Sequence, residues 1–521
     1  MKPIEQIALR MSTQRGTPDP DVKLECNELK HWLEGLPLLK PKSTVKQLTE
    51  AIHSTHQHEL GSKQRLELLQ EYRTTVLLHN PTLNQDALKR LSIKDDERVQ
   101  LQSQTTMLYL TLADGYKIII KNAFENQPSR QRKDILLPLY HAIEVLSLTL
   151  LHCYRSYLSA PQHLYQDINQ LYLLAKHTQL LDRDVETGNL SLAATTIGDL
   201  YKQIMYLGCI DPYQLPSGVA EKLYERLSRF SRFIQLSSSN TSANAGKVFA
   251  NDLTQDSPPR LISKLSSTHS NEMTLLINPT VMIEKIRKEI SLLETEGSAL
   301  SIKNEIELLQ RLNVPSQEDP LRQSERIEKQ RICKLTFGID AINHFLNLGK
   351  QELEQVLDSN ADSFGQHLLE PWTITNESET GLSLTYQQTT RYDVRVGEII
   401  GLLSEESIEG KRNGRIAIIR WIRSGRNNHI HVGIKFVPGN LLPAMCRLSD
   451  GPNVNNTFPA IFISSQTQYG QPATLLTTKK VYQENRIMEV TIGEQPMRIK
   501  AGLLHDDSFS FDRFDFSSLN S

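Results

Sequence analysis

A chain of 521 residues is too long for one hydrophobic core, so two to four domains are expected. The formal net charge of −2 at pH 7 excludes a molecule-wide basic field for nucleic acid or a membrane surface, and any polyanion site must be a local patch. Cys26, Cys153, Cys209, Cys333 and Cys446 are scattered, with no Cys-x-x-Cys pair; this excludes a disulfide framework or zinc ribbon and reads as reduced thiols of a cytoplasmic protein.

The opening Met1-Lys2-Pro3-Ile4-Glu5 lacks the apolar run of a signal peptide. The first residues read as irregular, with Pro18, Pro20, Pro37 and Pro41, and with Trp32, Leu33, Leu36, Leu38 and Leu39 as a packed lead-in. From Ser43 apolar residues recur at helical spacing, first Val45, Leu48, Ala51 and Ile52, then Leu66, Leu68, Leu69, Tyr72 and Val76. Asn80-Pro81 breaks between helices. Further helices are predicted at about 97–124, 131–158, 162–182, 187–208 and 216–235. No fixed-period repeat appears, so residues 1–235 are expected to form an α-helical bundle or array. The most apolar stretch, 135–151, is interrupted by Pro138, His141, Glu144 and Ser147, which predicts a buried helix and not a membrane span.

Residues 236–259 turn rich in Ser, Asn and Pro and read as a linker. A mostly helical middle segment, 260–315, follows, with one strand at 274–277 and helices at 281–294 and 302–312. Residues 316–331 form a second, Arg-rich linker. Beyond it come short runs rich in β-branched and aromatic residues, bounded by Gly, Asn or Ser: 332–337, 396–403, 415–422 and 432–436. They predict an antiparallel β-barrel over 332–440, with a helical insertion at 348–369. Strand patterns continue through 459–463, 473–476, 487–492 and 497–500 to an aromatic tail at 508–516, so 441–521 is expected to add strands or a second β subdomain. The fold class is multidomain α + β.

Two polar stretches stand out. One is Arg322-Gln323-Ser324-Glu325-Arg326-Ile327-Glu328-Lys329-Gln330-Arg331, the other Asn376-Glu377-Ser378-Glu379-Thr380-Gly381, followed at once by Leu382-Ser383-Leu384. Together with the later Val396-Gly397-Glu398, Arg420-Trp421 and Val432-Gly433-Ile434-Lys435-Phe436, they resemble, in order, the PilZ domain, a bacterial receptor domain for the dinucleotide cyclic di-GMP. Trp32-Leu33-Glu34-Gly35-Leu36-Pro37 and Arg65-Leu66-Glu67-Leu68-Leu69 extend the resemblance to bacterial PilZ proteins with long helical N-termini. The resemblance implies a cyclic di-GMP-binding signalling adaptor with no other cofactor, whose helical region meets a protein partner. The alternative is a PilZ scaffold that has lost the ligand and mediates protein contacts.

The resemblance also implies site residues. Arginine pairs bidentately with phosphate or with guanine O6 and N7 and stacks on a base. Arg322 and Arg326 have the family's Arg-x-x-x-Arg spacing, whereas Arg331 precedes the expected first strand at 332–337, where the family places its second arginine. Both registers stay open, as does a solvated linker with Glu325 and Glu328 as partners. Asn376 and Ser378 offer short hydrogen-bonding side chains to a base or ribose, and Gly381 a tight turn and a close backbone approach; the competing reading is a plain Asx turn.

Other features have blander readings. Arg391 and Arg395 read as a polar barrel face, Trp421 as core and Arg420 as a possible lining residue. Lys411, Arg412, Arg415, Arg420, Arg423 and Arg426 are too few to point to nucleic acid. His429 with His431, and His53, His56 and His58 with Glu59, read as solvated faces and not metal sites. A Walker loop, a Gly-x-Ser-x-Gly elbow, a His-Glu-x-x-His pair, and the Gly-Gly-Asp-Glu-Phe and Glu-Ala-Leu marks of cyclic di-GMP enzymes are all missing, so no enzyme is expected. The oligomeric state is left open.

Overall fold

The computed structural model describes residues 9–11, 19, 21–79, 95–126, 133–186, 191–238, 248–262, 273–297, 299–313, 327–348, 352, 363–364, 367–387, 394–403, 415–425, 429–449, 456–465, 472–493 and 495–519. The chain divides into two compact units, one of Met1–Pro212 and Ser217–Leu321, the other of Tyr213–Pro216 and Arg322–Ser521.

The first unit is mainly helical. Helices α1 (Cys26–Glu34), α2 (Pro41–Gln57), α3 (Ser62–His79), α4 (Asp95–Asn126), α5 (Leu136–Arg155), α6 (Leu164–His177), α7 (Ile197–Cys209) and α8 (Val219–Phe230) follow in chain order. Of the apolar positions that gave helical spacing in the sequence, Val45, Leu48, Ile52, Leu68, Leu69, Tyr72 and Val76 are buried, and Ala51 and Leu66 are half-buried. Gly115 of α4 sits where a Cβ would meet Leu69 Cδ2 at 2.6 Å and His56 Cε1 at 2.7 Å, so its missing side chain lets α2 and α3 close on α4. Helix α5 is long and apolar enough to cross a membrane by composition, but 83% of its most apolar window is buried inside this unit. Pro138 lies in its first turn, where no intrahelical N–H is lost. His141, Glu144 and Ser147 are buried too. The Glu144 carboxylate accepts from Arg73 Nε (2.6 Å) and Nη2 (2.7 Å) and from Ser191 Oγ (2.6 Å), and faces His141 Nδ1 at 3.0 Å. Against the cost of burial, His141 and Arg73 hold its pKa down at about 2.

Residues expected to be a linker contribute strands to this unit. β1 (Gln235–Ser237), β2 (Phe249–Asp252), β3 (Arg260–Leu261) and β4 (Thr274–Asn278) pair in the order β1-β4-β2-β3. The physical reason is a buried polar anchor that composition conceals. Asn251 of β2 donates from Nδ2 to Asn169 Oδ1 (3.1 Å) and Tyr201 OH (2.8 Å) on α6 and α7. Helices α9 (Thr280–Glu296) and α10 (Leu300–Leu312) complete the middle segment; Tyr206 OH donates to Leu312 O at 2.8 Å, and Arg226 pairs with Glu305.

The second unit holds two closed six-stranded barrels. The first is built from β5 (Ile327–Phe337), β8 (Glu370–Ser378), β9 (Gly381–Tyr386), β10 (Ile399–Leu403), β11 (Arg415–Ser424) and β12 (Ile430–Phe436), in the closed order β10-β11-β12-β9-β8-β5. Between β5 and β8 the chain forms helix α11 (Ile339–Leu346) and the small hairpin β6 (Ser363–Phe364) and β7 (His367–Leu368). The helix therefore precedes the predicted insertion at 348–369, whose middle lies outside the described residues. The run 396–403 is strand only from Ile399. Gly397, at φ +86°, makes a turn before it, a conformation that suits glycine.

The second barrel, β13 (Leu441–Leu448), β14 (Thr457–Ile463), β15 (Thr474–Thr478), β16 (Ile487–Ile492), β17 (Gln495–Asp507) and β18 (Phe511–Ser518), closes in the order β13-β14-β15-β18-β17-β16. Its aromatic tail is the closing strand, with Phe511 and Phe514 buried. Closure removes the open edges that loose strands would expose.

The two barrels share a core. Ile339 and Ile342 of α11, with Ile399, Ile416 and Ile418 of the first barrel, pack together with Ile461, Leu476 and Phe511 of the second. Asn343 of α11 is buried and donates from Nδ2 to Ala444 O (2.8 Å) and Ala460 O (2.7 Å), which face each other across β13 and β14.

Candidate functional site

The first barrel carries the polar stretches singled out in the sequence. Strand β5 begins at Ile327, five residues before the expected first strand at 332. Ile327 pairs with Glu377 and Glu328 with Asn376. The polar run Glu328-Lys329-Gln330-Arg331 lacks strand character of its own, and pairing with β8 overrides that preference. Arg331 thus lies inside the strand and not ahead of it, and the residue directly before the strand is Arg326. Arg322 and Arg326 themselves lie outside the described residues.

Residues opposed across a ladder point to the same face. Arg331 opposes the buried Ile374, and Glu377 opposes the buried Leu382, so both face the barrel interior. There Arg331 Nη2 binds Glu377 Oε2 at 2.9 Å, with the two side chains 25% and 14% exposed. Asn376, Ser383, Gly433 and Trp421 are consecutive partners across β8, β9, β12 and β11 and form a row on the outer face. Ser378, opposite Gly381, continues that wall.

Two β-bulges create this division. The pairing of β8 with β9 shifts between Ile374 and Asn376, and that of β11 with β12 shifts between Ile419 and Trp421. The extra residues, Thr375 and Arg420, reverse the alternation beyond them. Asn376 and Trp421, which strict alternation from Ile374 and Ile419 would turn inward, are turned out, and Glu377 is turned in. Trp421 is therefore half-buried on the outer wall and not in the core. It covers Gly433, where a Cβ would come within 1.9 Å of the indole nitrogen, which is why that position is glycine.

The Asn376-to-Gly381 stretch is a two-residue hairpin between β8 and β9. Ser378 Oγ donates to Gly381 O at 3.0 Å, and Phe436 N–H donates to Thr380 O at 2.9 Å. Gly381 does not need a left-handed backbone. Its requirement is the close approach of β12, since a Cβ would lie 2.0 Å from Ile434 O. Beside this row runs a second one, in which His431 Nδ1 meets Thr385 Oγ1 at 2.9 Å.

The remaining candidates disperse. Arg391, Lys411, Arg412 and Arg426 lie outside the described residues. Arg395 is not in a strand, and its guanidinium lies 5.3 Å from the Phe509 ring centroid; that of Arg415 lies 4.6 Å from Phe436. Arg420 is exposed at its bulge. His56 is buried with Nε2 on Thr111 O, not on a solvated face. Among the described residues no three or more His, Cys, Asp or Glu side chains come together as a metal-binding group.

Three family models match consecutive parts of the chain: "Cyclic-di-GMP receptor FimW, N-terminal domain" over residues 27–242, "Cyclic-di-GMP receptor FimW, middle PilZ domain" over 358–443 and "FimW C-terminal beta-barrel domain" over 444–519. The chain belongs to this PilZ-domain family. It is also 23% identical to the curated cyclic-di-GMP receptor FimW of Pseudomonas aeruginosa over 563 aligned residues, covering 94% of this chain and 90% of that one. The family boundary at 443/444 falls within β13, just past the end of the first barrel. Asn376, Ser378, Gly381 and Trp421 lie in the matched PilZ part, whereas Arg322, Arg326 and Arg331 fall between the matched parts.

Sequence reasoning missed the Arg331–Glu377 pair and the two bulges. Glu377 stood as an unassigned position of the six-residue stretch, and neither Thr375 nor Arg420 carries the glycine that would have signalled a bulge.

Proposed function

We propose that the chain is a cyclic di-GMP receptor that binds the dinucleotide on the outer wall of the first barrel, with Arg322 and Arg326 on one side and Asn376 and Ser378 on the other. One observation carries this reading: β5 starts at Ile327, whose partner is Glu377. Covalent geometry keeps Arg326 within one Cα step, about 3.8 Å, of Ile327. This supports the Arg322/Arg326 register over Arg326/Arg331, because Arg331 already lies inside β5 and pairs inward with Glu377. Two arginine forks suit two phosphates and guanine edges, and the short Asn and Ser side chains suit a base or ribose. Kinship with a receptor named for this ligand supports the same reading.

Ligand contacts through Arg322 and Arg326 would fix the segment ahead of β5 against the barrel, at roughly 1–2 kcal/mol of backbone entropy per residue held, offset by charge-assisted contacts. That ordering would change how the helical region is presented to a protein partner, a population shift driven by ligand affinity for the ordered state. Calorimetric titration of the full chain with cyclic di-GMP tests the receptor reading; saturable binding is expected, and its absence at high ligand concentration leaves the ligand-free scaffold. Hydrogen exchange tests the switch. New protection across Ser316 to Arg326, ahead of β5, is expected on binding, and unchanged exchange there under saturating ligand would rule the switch out.

A further inference from the structure

We infer that the Arg331–Glu377 ion pair is the positioning device of the binding wall, acting from inside the barrel on residues that act outside it. The inference rests on the receptor reading for its ligand-binding readout only. Glu377 lies between Asn376 and Ser378, and the bulge at Thr375 turns it inward while its two neighbours face out. A bulge leaves its extra residue unpaired and disrupts the ladder locally, so the aim of the residues beyond it depends on where it sits. β8 carries this irregularity against β9, and its pairing with β5 shifts as well, between Glu328 and Arg331. The end of β8 is thus irregular on both flanks, where the outer wall requires one defined register.

The ion pair supplies that register. Arg331 stands beyond the β5 irregularity, opposite Ile374, and reaches Glu377, the partner of Ile327 on its far side. The contact therefore spans both shifts and ties the turned-in residue to a strand whose next residues, Cys333 and Leu335, are anchored in the core. Partial burial strengthens a guanidinium–carboxylate hydrogen bond over a surface pair, and only the inward rotamer of Glu377 can make it. A slip of one residue at Thr375 would turn Glu377 out, break the pair and rotate Asn376 into the barrel. The pair is in this sense a register lock, and Arg331 serves the site without touching the ligand.

The test uses the full chain and four variants: Arg331→Ala, Glu377→Ala, the exchanged pair Arg331→Glu/Glu377→Arg, and Arg447→Ala as a control for an Arg–Glu pair across neighbouring strands of the second barrel. Hydrogen exchange without ligand reads the hairpin directly. The amides of 374–381 should exchange roughly tenfold faster in either single variant and return towards the parent rate in the exchanged pair, as expected for breaking and remaking one charged hydrogen bond. Cyclic di-GMP affinity, measured well below the melting temperature, should fall roughly tenfold in the singles and recover in the exchanged pair. Arg447→Ala should move neither. Unchanged hairpin exchange in both single variants overturns the inference whatever the ligand does. So does loss of protection spread over the whole barrel, which would mark Arg331 as an ordinary stability residue, and so does failure of the exchanged pair to recover. If the parent chain binds no cyclic di-GMP, the receptor reading falls while the exchange measurement still decides on the register lock.

Discussion

The two barrels have the same number of strands, the same antiparallel closure and nearly the same size, yet they use their faces differently. In the first, an Arg–Glu pair lies on the interior face, and two bulges move Asn376 and Trp421 to the exterior. In the second, the Arg447–Glu489 pair lies on the exterior with side chains 51% and 36% exposed, Cys446, Leu475, Met488, Val490 and Phe514 line the interior, and charge enters that face at the buried Asp512, paired with Lys479. The first barrel also splits its outer face. Its β10 and β11 side is covered by α11 and the second barrel through Ile399, Ile416 and Ile418, and the β8–β9–β12 side keeps the polar wall. The difference teaches that barrel architecture carries no function of its own. Under the proposed reading, function would enter the first barrel through the polar row that its bulges turn outward; a bulge alone marks no site, since β17 and β18 carry register shifts as well.

Four experiments break or sharpen this comparison. The largest effect is expected where the barrels meet. Asn343→Leu keeps the bulk of the side chain but removes the donor to two buried carbonyls, at a cost of about 2–4 kcal/mol. A melting temperature for the barrel unit within a degree of the parent would mean that the barrels do not depend on this joint. Next comes the ligand contrast. Arg326→Ala should weaken cyclic di-GMP binding by about 1.5–3 kcal/mol, roughly 10- to 150-fold. Arg331→Ala should act less strongly if its role is positioning, and a larger loss than for Arg326→Ala would return the site to the Arg326/Arg331 register.

The third experiment sets the helical unit against the barrels in acid. The His56 ring is buried with Nε2 on Thr111 O at 2.8 Å, and among the described residues Nδ1 has no partner. Burial, helped by Arg65, pushes its pKa down from 6.5 to about 4. The unfolded chain therefore takes up a proton near pH 6.5 and the folded chain only near pH 4. Stability is full above the unfolded value and falls between the two, by on the order of 2 kcal/mol near pH 5. Circular dichroism melts of the helical signal should shift down between pH 7 and pH 5, and His56→Gln should remove only its own share, because burial also pushes His152 down to about 4 and lowers His141 in the same unit. An equal shift in the variant would assign the acid sensitivity elsewhere. The smallest effect belongs to Arg447→Ala, whose exposed pair is worth under about 1 kcal/mol; a clear loss of melting temperature would show that the outer pairs of the second barrel matter more than their exposure indicates.

Much of the architecture could be read from the chain alone. Period-3.6 spacing of Val45, Leu48, Ile52, Leu68 and Tyr72 marked the helices, because a helix must bury one face whatever its partner. Period-2 runs bounded by turn residues marked most strands of both barrels but not β8 or β13, and left the aromatic tail open between a terminal strand and a docking segment until Phe511 and Phe514 proved to lie in β18. The segment order that resembles the PilZ domain was likewise present in the residues. Only the tertiary structure decided the rest. Residues 236–259 looked like a linker because of their Ser, Asn and Pro content; Leu236, Ser237 and Phe249–Asp252 are strand because β4 pairs with both β1 and β2 and Asn251 finds Asn169 and Tyr201. Arg331 looked like a residue before a strand because Glu328, Lys329 and Gln330 have no strand preference, and it is inside one because β8 supplies the hydrogen-bonding partner. The inward or outward aim of Asn376, Glu377 and Trp421 turns on one extra residue in each of two strands. A bulge is a property of paired strands, fixed by the neighbour's register, so no single stretch of sequence encodes it.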